Sequence, residues 1–170
     1  MIKANADMNQ AEIIEERKQL FKMLRKAVSY VYENFSKVIE KKGLEQCIVA
    51  IIYAKLFQLI DASQYKALDL NSEYNKNGES VKSTPNFSHG VRPDIILHHM
   101  GNNDFNKIAI EFKGWWNNHD ENDIQKLKDL THPLGEYRYN LGVWVLIGKD
   151  IPTYKFVMNG YEVMNLDDDK

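Results

Sequence analysis

The stretch RPDIILHHMGNNDFNKIAIEFKG, residues 92–114, constrains the fold more than any other part of this sequence. Apolar residues alternate on both sides of a polar centre, which is typical of two strands joined by a turn. Folding the chain about Asn102 and Asn103 sets Asp94 opposite Glu111 on adjacent antiparallel strands. Opposed side chains in such a pair have Cβ atoms about 5 Å apart, so we expect the two carboxylates to meet.

Lys113 lies two positions after Glu111 and therefore shares its face of the strand, while Phe112 points to the other face. Two carboxylates this close repel each other and raise each other's pKa unless a cation lies between them. Mg²⁺ suits such a pair, because it binds oxygen ligands and usually keeps several waters. A lysine beside the pair can position or deprotonate an attacking water, or balance charge that develops on a phosphate. The pattern therefore predicts metal-assisted hydrolysis at a phosphorus centre.

The spacing of a glutamate and a lysine two residues later occurs twice more, at residues 16–18 and 40–42. Both copies lie in a predicted helix, where residues two apart do not face each other. Only Glu111 and Lys113 lie in a predicted strand with an acid opposite. The alternative interpretation of these three side chains is a surface network of ion pairs across two strands.

Two helices are predicted before the strands. Asn9 and Glu12 match a capping box, and apolar residues at three- and four-residue spacing predict an amphipathic helix over residues 10–42 that ends at Gly43. The spacing is close to a heptad repeat, so this helix either packs on its own domain or forms a dimer seam. A second helix, apolar on most sides, is predicted over residues 44–61 and is expected to be buried.

The remaining elements complete an α/β pattern. Residues 65–75 are strand-like, and residues 76–90 form a long polar loop, which is typical of functional or mobile segments. A short helix is expected near residues 122–130, followed by a buried strand at LGVWVLIG and an edge strand at YKFVM. The order α-α-β-β-β-α-β predicts a mixed central sheet of about four to five strands flanked by helices.

Composition narrows the function. The chain has 170 residues, enough for one compact domain, and a formal net charge of −2. A protein that binds nucleic acid through its overall charge is usually much more basic, so such binding needs a local patch or a bound cation. The single cysteine excludes an internal disulfide, and the first residues lack a signal-peptide pattern, so we expect a cytoplasmic location.

With RPD at residues 92–94, EFK at residues 111–113 and a hairpin between them, the sequence resembles the PD-(D/E)XK nuclease superfamily. The fold of that superfamily is the one found in restriction endonucleases and Holliday junction resolvases. The resemblance covers roughly residues 70–148, with residues 44–61 as the first helix, and it implies an αβββαβ restriction-endonuclease-like core. The expected division is a helical extension over residues 1–43 and a nuclease-like domain over residues 44–170.

The resemblance also implies roles for four residues. A metal ion would be held by Asp94 and Glu111 with help from the backbone carbonyl of Phe112, and Lys113 would be the catalytic lysine. The superfamily is diverse, so the resemblance indicates the reaction type better than the substrate.

Further residues are candidates with two interpretations each. The family often has another acid, on the first helix or on the strand before the hairpin. Glu45 and Glu73 both fit that place, and Glu73 is slightly preferred because it lies closer to the motif in sequence. Arg92 either contacts a substrate phosphate or pairs with an acid. Lys126, expected on the exposed side of the short helix, either reaches a phosphate or faces solvent.

The resulting hypothesis is a cytoplasmic hydrolase, a nuclease that depends on Mg²⁺ or Mn²⁺ and acts on DNA in preference to RNA. Two alternatives stay open. A nuclease-like fold can serve as a catalytically weak module that binds nucleic acid or protein. The chain can also be an assembly protein in which residues 10–42 form a homodimer seam and the sheet only supports it.

Overall fold

The computed structural model describes residues 2–42, 45–117 and 119–168. These residues form two short 3₁₀ helices, three α-helices and eight β-strands. The 3₁₀ helices span Asn5–Asp7 and Asn103–Phe105. The α-helices are α1 (Gln10–Glu40), α2 (Glu45–Asp61) and α3 (Glu121–Thr131). The strands are β1 (Asp69–Ser72), β2 (Lys76–Asn77), β3 (Ser80–Val81), β4 (Ile95–His98), β5 (Ile108–Gly114), β6 (Leu141–Ile147), β7 (Pro152–Met158) and β8 (Tyr161–Val163).

Six of the strands form one mixed sheet in the order β1-β4-β5-β6-β7-β8. Strands β5 and β6 are parallel, and the other neighbouring pairs are antiparallel. The parallel pair needs a crossover connection, and α3 lies within it. The α/β class and the mixed sheet are therefore as predicted, with one strand more than expected.

The extra strand is β8, and it changes the place of β7. Asn159 and Gly160 both have positive φ, 52° and 84°, which matches a tight hairpin turn between β7 and β8. The segment YKFVM was predicted to be an edge strand, but it lies inside the sheet, between β6 and β8. The edges of the sheet are β1 and β8.

Helices cover both faces of the sheet. On one face, α1 and α2 pack on the side chains of Ile110, Phe112 and Val143. On the other face, α3 packs on a second set of apolar residues that includes Ile96 and Trp144. Successive residues of a strand point to opposite faces of the sheet, so each central strand contributes side chains to the apolar core on both faces.

Helix α1 begins as the sequence predicts, because the Asn9 side chain and the Glu12 side chain form a reciprocal capping box. The helix is not regular throughout, since Phe35 has non-helical angles (φ −134°, ψ 27°) that mark a kink. Leu24, Val28 and Val31, three residues of the expected dimer seam, are buried in the same core as α2 and the sheet. Dimer formation through α1 stays a prediction, and these three side chains are not available to it.

Several expected boundaries fall on or next to residues outside the described part of the chain. The predicted stop of the first helix at Gly43 lies there, as does the expected domain boundary at residues 43 and 44. Helix α2 is described from Glu45 onward, within the predicted range. Among the helices that the structure describes, none combines the length and apolar character needed to cross a membrane.

A buried polar network ties the start of α1 to the sheet. Lys107, fully buried before β5, lies 3.0 Å from Glu16 Oε1 and donates to the carbonyl oxygen of Lys3 at 2.7 Å. Arg17 Nε donates to the side chain of Asn140 at 2.9 Å, and Asn140 Nδ2 donates to Glu16 at 2.7 Å. Buried charges need such partners, so Glu16 has a structural role. Lys18 pairs with Asp167 and not with Glu16, which agrees with the expectation that residues two apart in a helix do not face each other.

The predicted loop at residues 76–90 contains a small hairpin formed by β2 and β3. Lys82 anchors the segment after this hairpin: its side chain is buried, and Nζ donates to the Tyr139 hydroxyl at 3.0 Å. The same ammonium lies 4.9 Å from the ring centre of Tyr137 and 5.8 Å from that of Tyr74. Burial lowers the pKa of Lys82 to about 8. Cation-π contacts of this kind partly replace the lost hydration.

Candidate functional site

The hairpin register places Asp94 opposite Glu111. The pairs Ile95–Ile110 and Ile96–Ala109 fix the alignment of β4 and β5, and continuing it by one residue joins positions 94 and 111. This is the register predicted from the Asn102–Asn103 centre. The turn itself contains a short 3₁₀ helix, yet it keeps the expected alignment.

Asp94 lies at the entrance to β4 and contacts the neighbouring strand directly. Its Oδ2 accepts a hydrogen bond from the Phe112 backbone N–H at 2.7 Å. Burial raises the pKa of Asp94 to about 6, although this hydrogen bond and the Lys126 charge favour the ionised form. The Phe112 side chain is fully buried on the opposite face, as strand alternation predicts. A ligand role for its carbonyl oxygen stays a prediction.

Glu111 is the most enclosed acid of the site, with 1% of its surface exposed. Burial raises the pKa of this carboxyl well above its ordinary value, and the nearby Asp94 raises it further. Lys126 opposes both effects, since its Nζ lies 3.1 Å from Glu111 Oε1. The site therefore holds two acids whose combined negative charge is poorly accommodated without a cation.

Lys113 projects from β5 toward α3. Its Nζ lies 3.0 Å from Asp123 Oδ2 and 3.9 Å from Glu45 Oε1. The Asp123 contact is an ion pair by distance. Burial alone would lower the pKa of Lys113, but Asp123 and Glu45 outweigh it and raise that pKa. The lysine is therefore held as a cation beside the paired acids.

Lys126 lies differently from the expectation. It was predicted on the exposed side of the short helix, but its ammonium faces the sheet and joins Glu111 to Asp123, whose Oδ1 is 2.9 Å away. Asp123 and Lys126 are three residues apart, which places both on one face of α3. The difference arises because α3 lies across the sheet with its first turns over β5.

The structure separates the two candidates for a further acid. Glu45, at the start of α2, accepts a hydrogen bond from the Gly114 backbone N–H at 2.9 Å and lies near Lys113. Glu73, slightly preferred from the sequence, instead pairs with Arg92 at 3.1 Å, with both side chains largely exposed. Contact with the site therefore favours Glu45 over Glu73. Arg92 thus pairs with an acid, and a contact with a substrate phosphate stays a prediction.

A cleft opens beside these residues, between α2 and β1. It has a volume of about 460 Å³, and Asp94, Glu45 and Glu73 all line it. Val49 and Tyr53 of α2 supply apolar lining. Of the paired acids, Asp94 is therefore reachable from the cleft, whereas Glu111 does not line it and is almost fully buried.

The donor set fits a hydrated divalent ion only in part. Two carboxylates meet at the register position, which suits Mg²⁺ with several waters retained. Within residues 2–42, 45–117 and 119–168, however, no three side chains of His, Cys, Asp or Glu are grouped so that they could hold a metal ion. Lys126 already neutralises part of the charge on Glu111. The two carboxylates of Asp94 and Glu111 favour metal binding at this place. Among the described residues, no third acidic side chain is grouped with them as a further ligand.

Comparisons with known proteins identify no relative, since no family model, curated protein or solved structure matches the chain. The resemblance to PD-(D/E)XK nucleases therefore rests on motif spacing and remains a prediction.

Sequence reasoning missed Asp123. The helix dipole favours negative charge near a helix N-terminus, so an acid in the first turn of a predicted helix does not by itself indicate a functional role. Asp123 is nevertheless buried and contacts two lysines of the site. The three-residue spacing between Asp123 and Lys126 is visible in the sequence and predicts that the two side chains lie on one face of the helix. The contact between Asp123 and Lys113 depends on how α3 packs on the sheet, which the sequence does not give.

Proposed function

We propose that this protein is a divalent-metal-dependent nuclease of PD-(D/E)XK type with a restriction-endonuclease-like core, which hydrolyses phosphodiester bonds, DNA being preferred over RNA. The observation that carries the proposal is the arrangement of three residues at one place. Asp94 and Glu111 are opposed across β4 and β5, and Lys113 projects from the same face as Glu111.

The elevated pKa values of the two acids support this assignment. Burial raises the pKa of Asp94 to about 6 and that of Glu111 well above its ordinary value. Perturbed acids that share a site with a charged lysine are typical of functional sites, although structural ion-pair networks produce similar shifts. The adjoining cleft, which Asp94 lines, gives this member of the pair access to a ligand.

Asp94 and Glu111 would hold Mg²⁺ or Mn²⁺, with the Phe112 carbonyl as a further ligand. A bound divalent ion supplies positive charge to the phosphate and lowers the pKa of a coordinated water. Lys113 would orient the attacking water or stabilise the negative charge that develops on the phosphate oxygens. Glu45 restrains Lys113 and the end of β5 through its contacts with Lys113 and the Gly114 amide.

The net charge of −2 sets a condition on substrate binding. Overall attraction to a polyanion is weak for such a chain, so local cations have to contact the phosphates. Lys113 and Lys126 provide two ammonium groups at the site, and Arg92 provides a third cation at the edge of the cleft beside Glu73. Location in the cytoplasm belongs to the same proposal.

A cleavage panel tests the proposal. Single- and double-stranded DNA and RNA are incubated with the protein in Mg²⁺, in Mn²⁺ and in EDTA. We expect cleavage of at least one DNA substrate with a divalent ion and none with EDTA. Asp94→Asn and Glu111→Gln should both lose this activity, because each keeps the shape of the side chain but loses a charge. Equal cleavage by the wild type and both variants would contradict the assignment.

One observation favours a second candidate function, a nuclease-like module that binds nucleic acid or protein without cleaving it. Lys126 already pairs with Glu111, so the charge of the site is partly balanced by the protein itself. For this candidate, the panel should show no cleavage under any condition, while a gel-shift assay shows binding that does not depend on a divalent ion.

A further inference from the structure

Asp123 occupies a central place among the charged groups of the site. It lies in the first turn of α3, and 6% of its side chain is exposed. Its two oxygens face different lysines: Oδ2 is 3.0 Å from Lys113 Nζ, and Oδ1 is 2.9 Å from Lys126 Nζ. One carboxylate thus joins a lysine of β5 to a lysine of α3.

The helix dipole does not account for this placement. It favours an acid anywhere in the first turn, and Glu121 satisfies that preference while exposed to solvent. Asp123 is buried instead, which costs free energy unless the charge is paired. The N-cap residue, Asp120, makes no capping hydrogen bond through its side chain, which pairs with Lys155 instead.

Each of the two lysines also reaches a second acid. Lys126 Nζ is 3.1 Å from Glu111 Oε1, and Lys113 Nζ is 3.9 Å from Glu45 Oε1. Asp123 is the group that they share. Lysine has a flexible side chain with a large rotamer entropy, so fixing two ammonium groups before a substrate arrives requires a restraint of this kind.

We infer that Asp123 is a positioning residue, which holds Lys113 and Lys126 side by side so that both ammonium groups act on the substrate phosphate. The inference rests on the proposed nuclease function and deepens it by adding a second lysine to the chemistry. Preorganised positive charge lowers the barrier because it needs no reorganisation when negative charge develops on the phosphate. Asp123 itself touches neither substrate nor metal in this account.

The first test needs no catalytic activity. Unfolding is measured for the wild type, Asp123→Asn, Lys113→Met and the double variant, and the same cycle is repeated with Lys126→Met. If Asp123 organises both lysines, each double variant loses less stability than the sum of its single variants. Additive losses in either cycle would overturn the inference, whatever the protein cleaves.

The second test separates positioning from general damage to the fold. With a substrate cleaved by the wild type, Asp123→Asn should lower kcat roughly tenfold to a hundredfold while KM changes little. Asp123→Glu restores part of kcat, because it keeps the charge. Glu121→Gln, in the same helical turn, should leave kcat unchanged. Calorimetry should show the same Mn²⁺ affinity in Asp123→Asn and the wild type.

The outcomes distinguish this inference from the proposed function. An Asp123→Asn variant with wild-type kcat, beside an active wild type, overturns the positioning role alone. No cleavage of any substrate by the wild type overturns the proposed function and the catalytic part of the inference together. A loss of Mn²⁺ binding in Asp123→Asn equal to that in Glu111→Gln would show that Asp123 acts on the metal site and not through the lysines.

Discussion

Lys126 Nζ lies 3.1 Å from Glu111 Oε1, so a lysine of α3 supplies a counter-ion to the most buried acid of the candidate site. The relationship couples the helix to the sheet at the point where the metal is proposed to bind. It also means that, without metal, part of the charge of the site is balanced from within the chain.

Lys126→Met should destabilise the metal-free protein by roughly 2 kcal/mol, because it leaves Glu111 and Asp123 with one cation fewer in a buried place. Added Mn²⁺ should recover more stability in this variant than in the wild type, since the metal then replaces a missing charge. Chemical denaturation with and without Mn²⁺ measures both effects.

The control for this variant is Lys128→Met, two residues further along α3. Lys128 pairs with the largely exposed Glu162 at 3.1 Å, and exposed pairs contribute about 0–1 kcal/mol. Equal destabilisation by both variants would mean that the Lys126–Glu111 contact contributes no more to the free energy of unfolding than an exposed ion pair does.

Glu111→Gln and Lys113→Ala should differ in metal binding. The first removes a charged ligand and should weaken Mn²⁺ binding at least tenfold, a loss of about 1.4 kcal/mol. The second removes a positive neighbour and should leave Mn²⁺ binding intact or tighter. Isothermal titration calorimetry at constant pH measures both affinities. If both variants lose binding equally, Lys113 has a structural role.

The paired acids illustrate how far sequence reasoning reaches. Alternation along each strand and a turn centred on Asn102 and Asn103 were sufficient to place Asp94 opposite Glu111, and the register of β4 and β5 agrees. Local rules were also sufficient for the capping box at Asn9. In these cases the determining residues are close in sequence, so their geometry follows from strand and helix periodicity.

Contacts between distant segments were not accessible in the same way. The place of Lys126 over Glu111 depends on the angle at which α3 crosses the sheet, and the proximity of Glu45 depends on the packing of α2. β7 was predicted at an edge because the three-residue strand β8 is too short for a clear alternating pattern. Residue spacing along a strand or helix determines the face on which a side chain lies, whereas the packing of helices on the sheet determines which residues that side chain contacts.

Lys107→Met should destabilise the fold by about 3 kcal/mol, because it leaves the buried Glu16 carboxylate without its ammonium partner. The same change removes the hydrogen bond that Lys107 donates to the Lys3 carbonyl oxygen, so the N-terminal segment should loosen. Urea denaturation measures the loss, and Lys18→Met, which removes an exposed pair with Asp167, is the control. A loss below about 1 kcal/mol in Lys107→Met would contradict a stabilising role for the network.

His98 should make stability depend on pH. Burial, together with the charge of Lys82, lowers its pKa to about 4, although Asp69 acts in the opposite direction and His99 adds to the lowering. The folded state therefore binds the proton less readily than the unfolded state, whose ordinary value is 6.5. The stability associated with the neutral ring is complete above 6.5 and is lost as the pH falls toward 4.

His98→Gln keeps a donor for the Asn71 side chain, which lies 2.8 Å from Nε2, but cannot gain a charge. The advantage in free energy of unfolding that the wild type has over His98→Gln should therefore shrink by about 2 kcal/mol between pH 7 and pH 4.5. Denaturation at both pH values measures this change, and the exposed neighbour His99, changed to Gln, is the control. An advantage that stays constant with pH would contradict the lowered pKa of His98.

The most direct test of the central claim is the rate at which the wild type and Lys113→Ala cleave an end-labelled DNA in Mg²⁺. If Lys113 acts on the phosphate beside the Asp94–Glu111 pair, the wild type cleaves, EDTA abolishes the reaction, and Lys113→Ala cleaves at least about a hundred times more slowly. Cleavage by Lys113→Ala at the wild-type rate would place the chemistry elsewhere and contradict the account.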